Sequence, residues 1–278
     1  MMTNPTNYYR PKTLTEAIVL TQQPDSVVLA GGVLTLQGVS LPYNTVIDVQ
    51  DVTELQMIDQ GEGGATFGAA ISLQTVLDWP ALPDALRRSI TRTIPLDQRA
   101  GITIGECLRL WRIPILREWI TVLMAHDIGI EYVNDAAERS WDNIVGLMDN
   151  GRLDQIFITT IHIPALSEGE AVGSAYTAPT ADDLAIVNAA AFIYLDPYGR
   201  VGSEFIYVSG ASEQPIKQVR LETLTPNPLD EATIASAVEA VAPQVDPVGD
   251  ALASAEDRRE MARQVVQNAL LECMEQLR

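Results

Sequence analysis

Residues 26–30 read Ser-Val-Val-Leu-Ala and run directly into Gly31-Gly32, a junction that limits the local fold severely. β-Branched and apolar residues over that length form a short buried strand. The two glycines at its end open the left-handed backbone region and allow close approach by other main chain or by a ligand. Just before it, Thr13-Leu14-Thr15-Glu16 has capping-box spacing, in which the hydroxyl and the carboxylate each accept from an amide at a helix start. The helix should bury Leu14, Ala17 and Ile18 and end near Pro24. Residues 45–49 read as a second strand, which predicts a small β-α-β lobe closing near residue 52.

Farther along, strand-like runs at 55–59 and 65–71 flank Gly61-Glu62-Gly63-Gly64, a hairpin pattern. Residues 73–77 and 82–90 read as helices separated by Pro80 and Pro83. Ile102-Thr103-Ile104-Gly105 reads as an apolar turn or strand, 115–125 as a helix, and 128–133 and 155–163 as strands. Residues 164–179 are rich in Gly, Ser, Ala and Pro and suit a domain boundary. Beyond them, 184–195 and 201–208 predict a hairpin across Asp196-Pro197-Tyr198-Gly199. Residues 217–222 can add a third strand, and 230–242 and 254–277 have helical spacing. Strands followed by helices make the second part α+β.

Several function classes are excluded or disfavoured by composition. A net charge of −19 and a pI near 4.3 oppose binding to a phosphate backbone. No run of apolar residues is long enough to span a membrane. The N-terminal residues are polar, and Cys107 and Cys273 lie far apart, so a cytoplasmic protein is expected. The 18 basic residues include only two lysines, Lys12 and Lys217. Seven arginines, at 87, 88, 92, 99, 109, 112 and 117, fall in one stretch, either a salt-bridged or partner-facing surface or a positive neighbourhood for an anion. His126 and His162 have no ligand partner at metal spacing. Two cysteines cannot hold an iron–sulfur cluster, and neither a nucleophile elbow nor a P-loop is present. The Gly31-Gly32 pair is then either a tight turn or a backbone cradle for an anion.

The order of the motifs points to a family. Tyr9-Arg10-Pro11, the capped helix, Val28-Leu29-Ala30-Gly31-Gly32 and Ile47-Asp48-Val49 are followed by Phe67-Gly68-Ala69-Ala70-Ile71-Ser72 and Arg99-x-x-x-Thr103-Ile104-Gly105. Later come Asp183-Leu184-Ala185-Ile186-Val187, Val245-Asp246-Pro247-Val248 and Ala253-Ser254-Ala255-Glu256-Asp257-Arg258-Arg259. Over almost its whole length the chain resembles the FAD-binding medium subunit of the molybdenum hydroxylases, the family of xanthine dehydrogenase and aerobic carbon monoxide dehydrogenase.

The resemblance implies an α+β fold: a two-lobed FAD-binding domain of the vanillyl-alcohol-oxidase/PCMH-like type over 1–172 (lobes 1–52 and 53–172), then a flavoprotein C-terminal-like domain over 173–278. It implies FAD as cofactor, with a molybdopterin-binding large subunit and a 2Fe-2S small subunit as partners. The chain would be a flavoprotein subunit, not a complete oxidoreductase. Leu29, Ala30, Gly31, Gly32, Val33 and Leu34 match the first cofactor loop; Thr103, Ile104 and Gly105 match the second. Gly68 and Ala69 match a segment lying against the cofactor, and Leu184 a position near the isoalloxazine ring. Val33-Leu34 replace the family's polar residues, Glu106 replaces its second glycine and Cys107 its Asn or Asp. Those departures leave a second reading open, a scaffold or assembly subunit that kept the fold and lost FAD.

Overall fold

The computed structural model describes residues 5–32, 44–134 and 137–278. The chain divides into two compact units: Met1–Leu82, Ile94–Trp111 and Asp127–Ala165 form the first, and Pro83–Thr93, Arg112–His126 and Leu166–Arg278 the second.

The first unit holds two sheets. Strands β1 (Asn7–Tyr9), β2 (Ser26–Leu29) and β3 (Thr45–Asp48) make a parallel sheet in the order β1-β3-β2. Parallel neighbours need a crossover, and the helix Leu14–Thr21 lies in the connection from β1 to β2. The Thr13 hydroxyl accepts from the Glu16 amide as expected, but the Glu16 carboxylate accepts from the Lys12 amide (3.0 Å), one residue earlier than a capping box requires. Strand β1 was not expected, because its three residues are all exposed and carry no apolar alternation.

The second sheet is antiparallel. It contains β4 (Ile58–Gly61), β5 (Gly64–Gly68), β6 (Gly129–Val133), β7 (Arg139–Asn143) and β8 (Phe157–Pro164), in the order β4-β5-β8-β6-β7. One face buries Ala65, Phe67, Ile130, Ile161 and Ile163, while Thr66, Glu131, Thr160 and His162 lie on the other, partly exposed. Two expectations change here. Leu55 belongs to a 3-10 turn, Thr53–Gln56, so the hairpin begins only at Ile58. Thr103 makes only an isolated bridge to Ser72, and Ile104-Gly105 is not turn or strand but the start of the helix Ile104–Arg109. The Thr103 hydroxyl caps that helix by accepting from the Glu106 amide (3.2 Å).

The second unit is built on β9 (Glu170–Thr177), β10 (Val187–Leu195), β11 (Val201–Ser209) and β12 (Ile216–Val219), antiparallel in the order β12-β11-β10-β9. Strand β9 lies within the stretch 164–179 expected to be a domain boundary. Its Gly and Ala content reflects close packing: a Cβ on Gly173 would overlap the carbonyl oxygen of Ala269 in the helix Ala255–Gln276. Val265, Val266, Ala269 and Leu270 of that helix share a core with Ala189, Ala191 and Ile193. The helix Arg117–Ala125 also packs on β10 and β11. This helix and Asp84–Thr93 therefore belong to the second unit, although both fall inside the 1–172 range expected for the first domain.

The arginine-rich stretch is divided in the same way. Arg99 and Arg109 lie in the first unit, the other five in the second. Within the second, Arg88 pairs with Glu272, and Arg92 pairs with Glu118, donates to the Asp183 carbonyl (2.7 Å) and stacks on Tyr176 (3.9 Å). Among the described residues, no helix is long and apolar enough to cross a membrane.

Candidate functional site

Leu29 ends β2, and its carbonyl accepts from the Val49 amide (2.9 Å), which holds the mouth of the parallel sheet together. Ligands commonly bind beyond the carboxyl ends of parallel strands, and the loop Ala30-Gly31-Gly32 lies at that end. Gly31 and Gly32 have φ of +76° and +83°, the left-handed region that glycine enters without penalty. A side chain on Gly31 would also overlap the Gly101 carbonyl oxygen, so the two glycine-bearing loops meet main chain to main chain. The Thr103 hydroxyl donates to the Ala30 carbonyl (3.2 Å) and ties the two lobes of the first unit at this point.

The second loop is more closed. A Cβ on Gly105 would come within 2.7 Å of the Ala69 carbonyl oxygen. The amide of Ile104 donates to Ile71 O (2.9 Å), that of Gly105 to Ala69 O (3.0 Å), and that of Glu106 to the Thr103 hydroxyl (3.2 Å). The leading amides of this helix are thus engaged inside the protein. Glu106 is 5% exposed and lines a cavity together with Arg109. Burial, and secondarily the Glu106 charge, pushes the Cys107 thiol well above its ordinary range, so Cys107 is not a thiolate nucleophile.

Two cavities flank the loops. The smaller, of about 210 Å³, is lined by residues including Val28, Ala30, Ala69, Gly105, Glu106 and Ile158. The larger and more open, of about 410 Å³, is lined by Arg10, Gly31, Asp51, Ser72 and Thr103 among others. Around it Arg10 pairs with Asp51 (2.9 Å), and Lys12, then Arg10, holds the Asp51 carboxyl below the usual range.

The sequence-derived residues are therefore unevenly placed. Ala30, Gly31, Ala69, Thr103 and Gly105 converge on the cavity walls. Gly32 lies against the Leu29 side chain. Gly68 faces main chain, since a Cβ there would overlap the Leu55 carbonyl, and Ile104 is fully buried in the core. Leu184 belongs to the second unit and is 45% exposed. Val33 and Leu34 lie outside the described residues. Arg109, already marked by the arginine-rich stretch, reaches the smaller cavity from the helix after Thr103; sequence reasoning missed Ile156 and Ile158, which reach it from just before and within β8. No spacing rule links these positions to Ala30. Among the described residues no cluster of His, Cys, Asp and Glu could hold a metal ion.

A family model described as FAD binding domain in molybdopterin dehydrogenase matches residues 4–166. The chain belongs to this family. A second model, CO dehydrogenase flavoprotein C-terminal domain, matches residues 176–273. Searched by sequence against curated proteins, this family member gives no match. Solved structures share its fold. Carbon monoxide dehydrogenase from Hydrogenophaga pseudoflava aligns at 18% identity over 99% of both chains with a TM-score of 0.83. Quinoline 2-oxidoreductase from Pseudomonas putida 86 aligns at 21% over 100% of this chain and 99% of the other, also at 0.83. Carbon monoxide dehydrogenase from Oligotropha carboxidovorans aligns at 18% over 99% of both chains at 0.77. At these identities the shared property is the α+β fold itself.

Proposed function

We propose that this chain is the FAD-carrying, electron-transferring subunit of a heteromeric molybdenum-hydroxylase-type oxidoreductase. Its partners would be a molybdopterin-binding large subunit and a 2Fe-2S small subunit, in the cytoplasm. The observation carrying this reading is the pair of glycine loops set between two cavities. FAD has two ring systems joined by a pyrophosphate, and bare main chain flanked by two cavities suits such a molecule. Gly31 and Gly32 would face the phosphates, with Leu29 and Ala30 at their flank. Ala69 and Gly105 would wall the smaller cavity, Thr103 the larger, and Ile156 and Ile158 would keep water from a ring. FAD, when bound, supplies the redox chemistry, accepting electrons singly from iron–sulfur centres and delivering them to an acceptor. The chain's own part is to bind, orient and shield it.

A second reading has a specific observation in its favour. The amides of Ile104, Gly105 and Glu106 already have acceptors, and a buried carboxylate stands where a phosphate-binding loop would carry glycine. Under this reading the chain is a scaffold or assembly subunit without flavin. Titrating the purified chain, alone and with its co-expressed partners, with FAD separates the two. Growth of flavin absorption bands on the protein with a raised Tm supports the first. Neither signal in excess FAD leaves only the second.

A further inference from the structure

The outer face of the five-stranded sheet carries a feature the candidate flavin site does not use. Asp59, Thr66, His162 and Gly129 stand opposite one another in register across β4, β5, β8 and β6. One row along, Glu131 of β6 faces Trp141 of β7. Of the 4 tryptophans, Trp79, Trp111 and Trp119 are buried, but Trp141 is 58% exposed. Its indole lies back across Gly129, where any Cβ would overlap ring carbon Cζ2. The glycine is therefore the seat of the ring. His162 flanks it with ring centroids 6.4 Å apart, and His162 Nδ1 is hydrogen-bonded to the Thr66 hydroxyl (3.1 Å). The six-membered part of the indole rests against Gly129, and much of the side chain remains open to solvent.

Leaving so large an apolar ring in water is unfavourable, and a ring seated in advance loses little freedom when a partner covers it. Tryptophan is the residue most enriched among those that dominate binding energy at interfaces. The surroundings indicate what covers it. Glu131 faces it on the neighbouring strand, paired with Arg139 at 3.6 Å, and the chain carries a net charge of −19. A second copy would bring like charge against like. A π face beside a carboxylate on an acidic chain instead favours a guanidinium, which is planar and weakly hydrated.

We propose that this face, centred on Trp141, docks a partner protein through a basic segment that stacks an arginine on the indole and pairs with Glu131. The proposal rests on the heteromeric reading above, but its first test needs neither flavin nor a complex. Because Trp141 is the one exposed tryptophan, acrylamide quenching corrected with a Trp141→Phe control reports on it alone. Octa-arginine should shield Trp141 about twofold and octa-lysine much less, since only guanidinium stacks well on the ring. Equal shielding by both peptides, or none, overturns the proposal. In the complex assembled from co-expressed partner chains, Trp141 should become several-fold less quenchable. Trp141→Ala should weaken assembly about tenfold or more, and Gly129→Val, which keeps the indole but unseats it, should do the same. An assembled complex in which Trp141 stays as accessible, or that Trp141→Ala leaves equally tight, also overturns it. Failure of any complex to form counts against the heteromeric reading, while the peptide experiment still decides whether this face is an arginine-binding surface.

Discussion

In the first unit Gly31 and Gly105 let loop main chain meet loop main chain beside two cavities, whereas in the second Gly173, Ala189 and Ala191 let a sheet lie close against the helix Ala255–Gln276. The same small residues thus leave room at one place and remove it at the other. Glycine content alone does not mark a site; what the missing side chain would have struck decides its meaning. At Gly31 it would strike another loop at the mouth of a parallel sheet, and at Gly173 the backbone of a packed helix.

The comparison is broken most directly at Gly173. Gly173→Val should lower stability by about 3 kcal/mol or more, because a helix backbone cannot yield to the added side chain. Urea denaturation measures this, and a loss below about 1 kcal/mol would mean that the sheet and helix are not closely packed there.

Acid should also weaken the second unit. His126 is buried with neither ring nitrogen hydrogen-bonded, and burial pushes its pKa down to about 4. It is neutral in the fold, whereas the unfolded chain takes up the proton below about pH 6.5. Its contribution is therefore full above that pH and is lost as pH falls towards 4, by on the order of 3 kcal/mol. Denaturation curves at several pH values should show this dependence, and His126→Leu should flatten it.

Gly31→Ala sharpens the contrast from the other side. The left-handed φ and the overlap with Gly101 should cost about 1–2 kcal/mol of stability and reduce FAD affinity about tenfold or more, read by flavin titration. Equal stability losses at Gly31 and Gly173 with FAD binding intact would erase the distinction. The smallest effect is expected at Glu106. Glu106→Gln removes a buried negative charge from the cavity wall and should tighten FAD binding a few-fold, on the order of 1 kcal/mol. An unchanged affinity would place the phosphates away from this wall.

Much of the architecture was legible because it rests on local rules. Thr13 announced a helix start by side-chain capping, the apolar spacing of 254–277 announced the last helix, and Gly31-Gly32 ended a β-branched run. Asp196-Pro197-Tyr198-Gly199 gave a hairpin whose strands pair in the expected sense. Strands β1 and β7 were not legible, since the first is fully exposed and the second, Arg-Ser-Trp-Asp-Asn, is polar along its length. Strand β9 was read as part of a domain boundary because its small residues look like loop composition until a helix lies against them.

Of the candidate site, the sequence by itself determined the first loop: a strand running into two glycines specifies a left-handed turn wherever it occurs, since that preference is a property of the residues. It also carried the ordered motifs by which the family is recognised. Only the tertiary structure decided that the Gly31 and Gly101 loops touch, that the amides of Ile104 and Gly105 already have acceptors, and that Trp141 has a seat on Gly129. Each depends on segments far apart in the chain being brought within contact distance, and no local pattern encodes the atom that another segment will present.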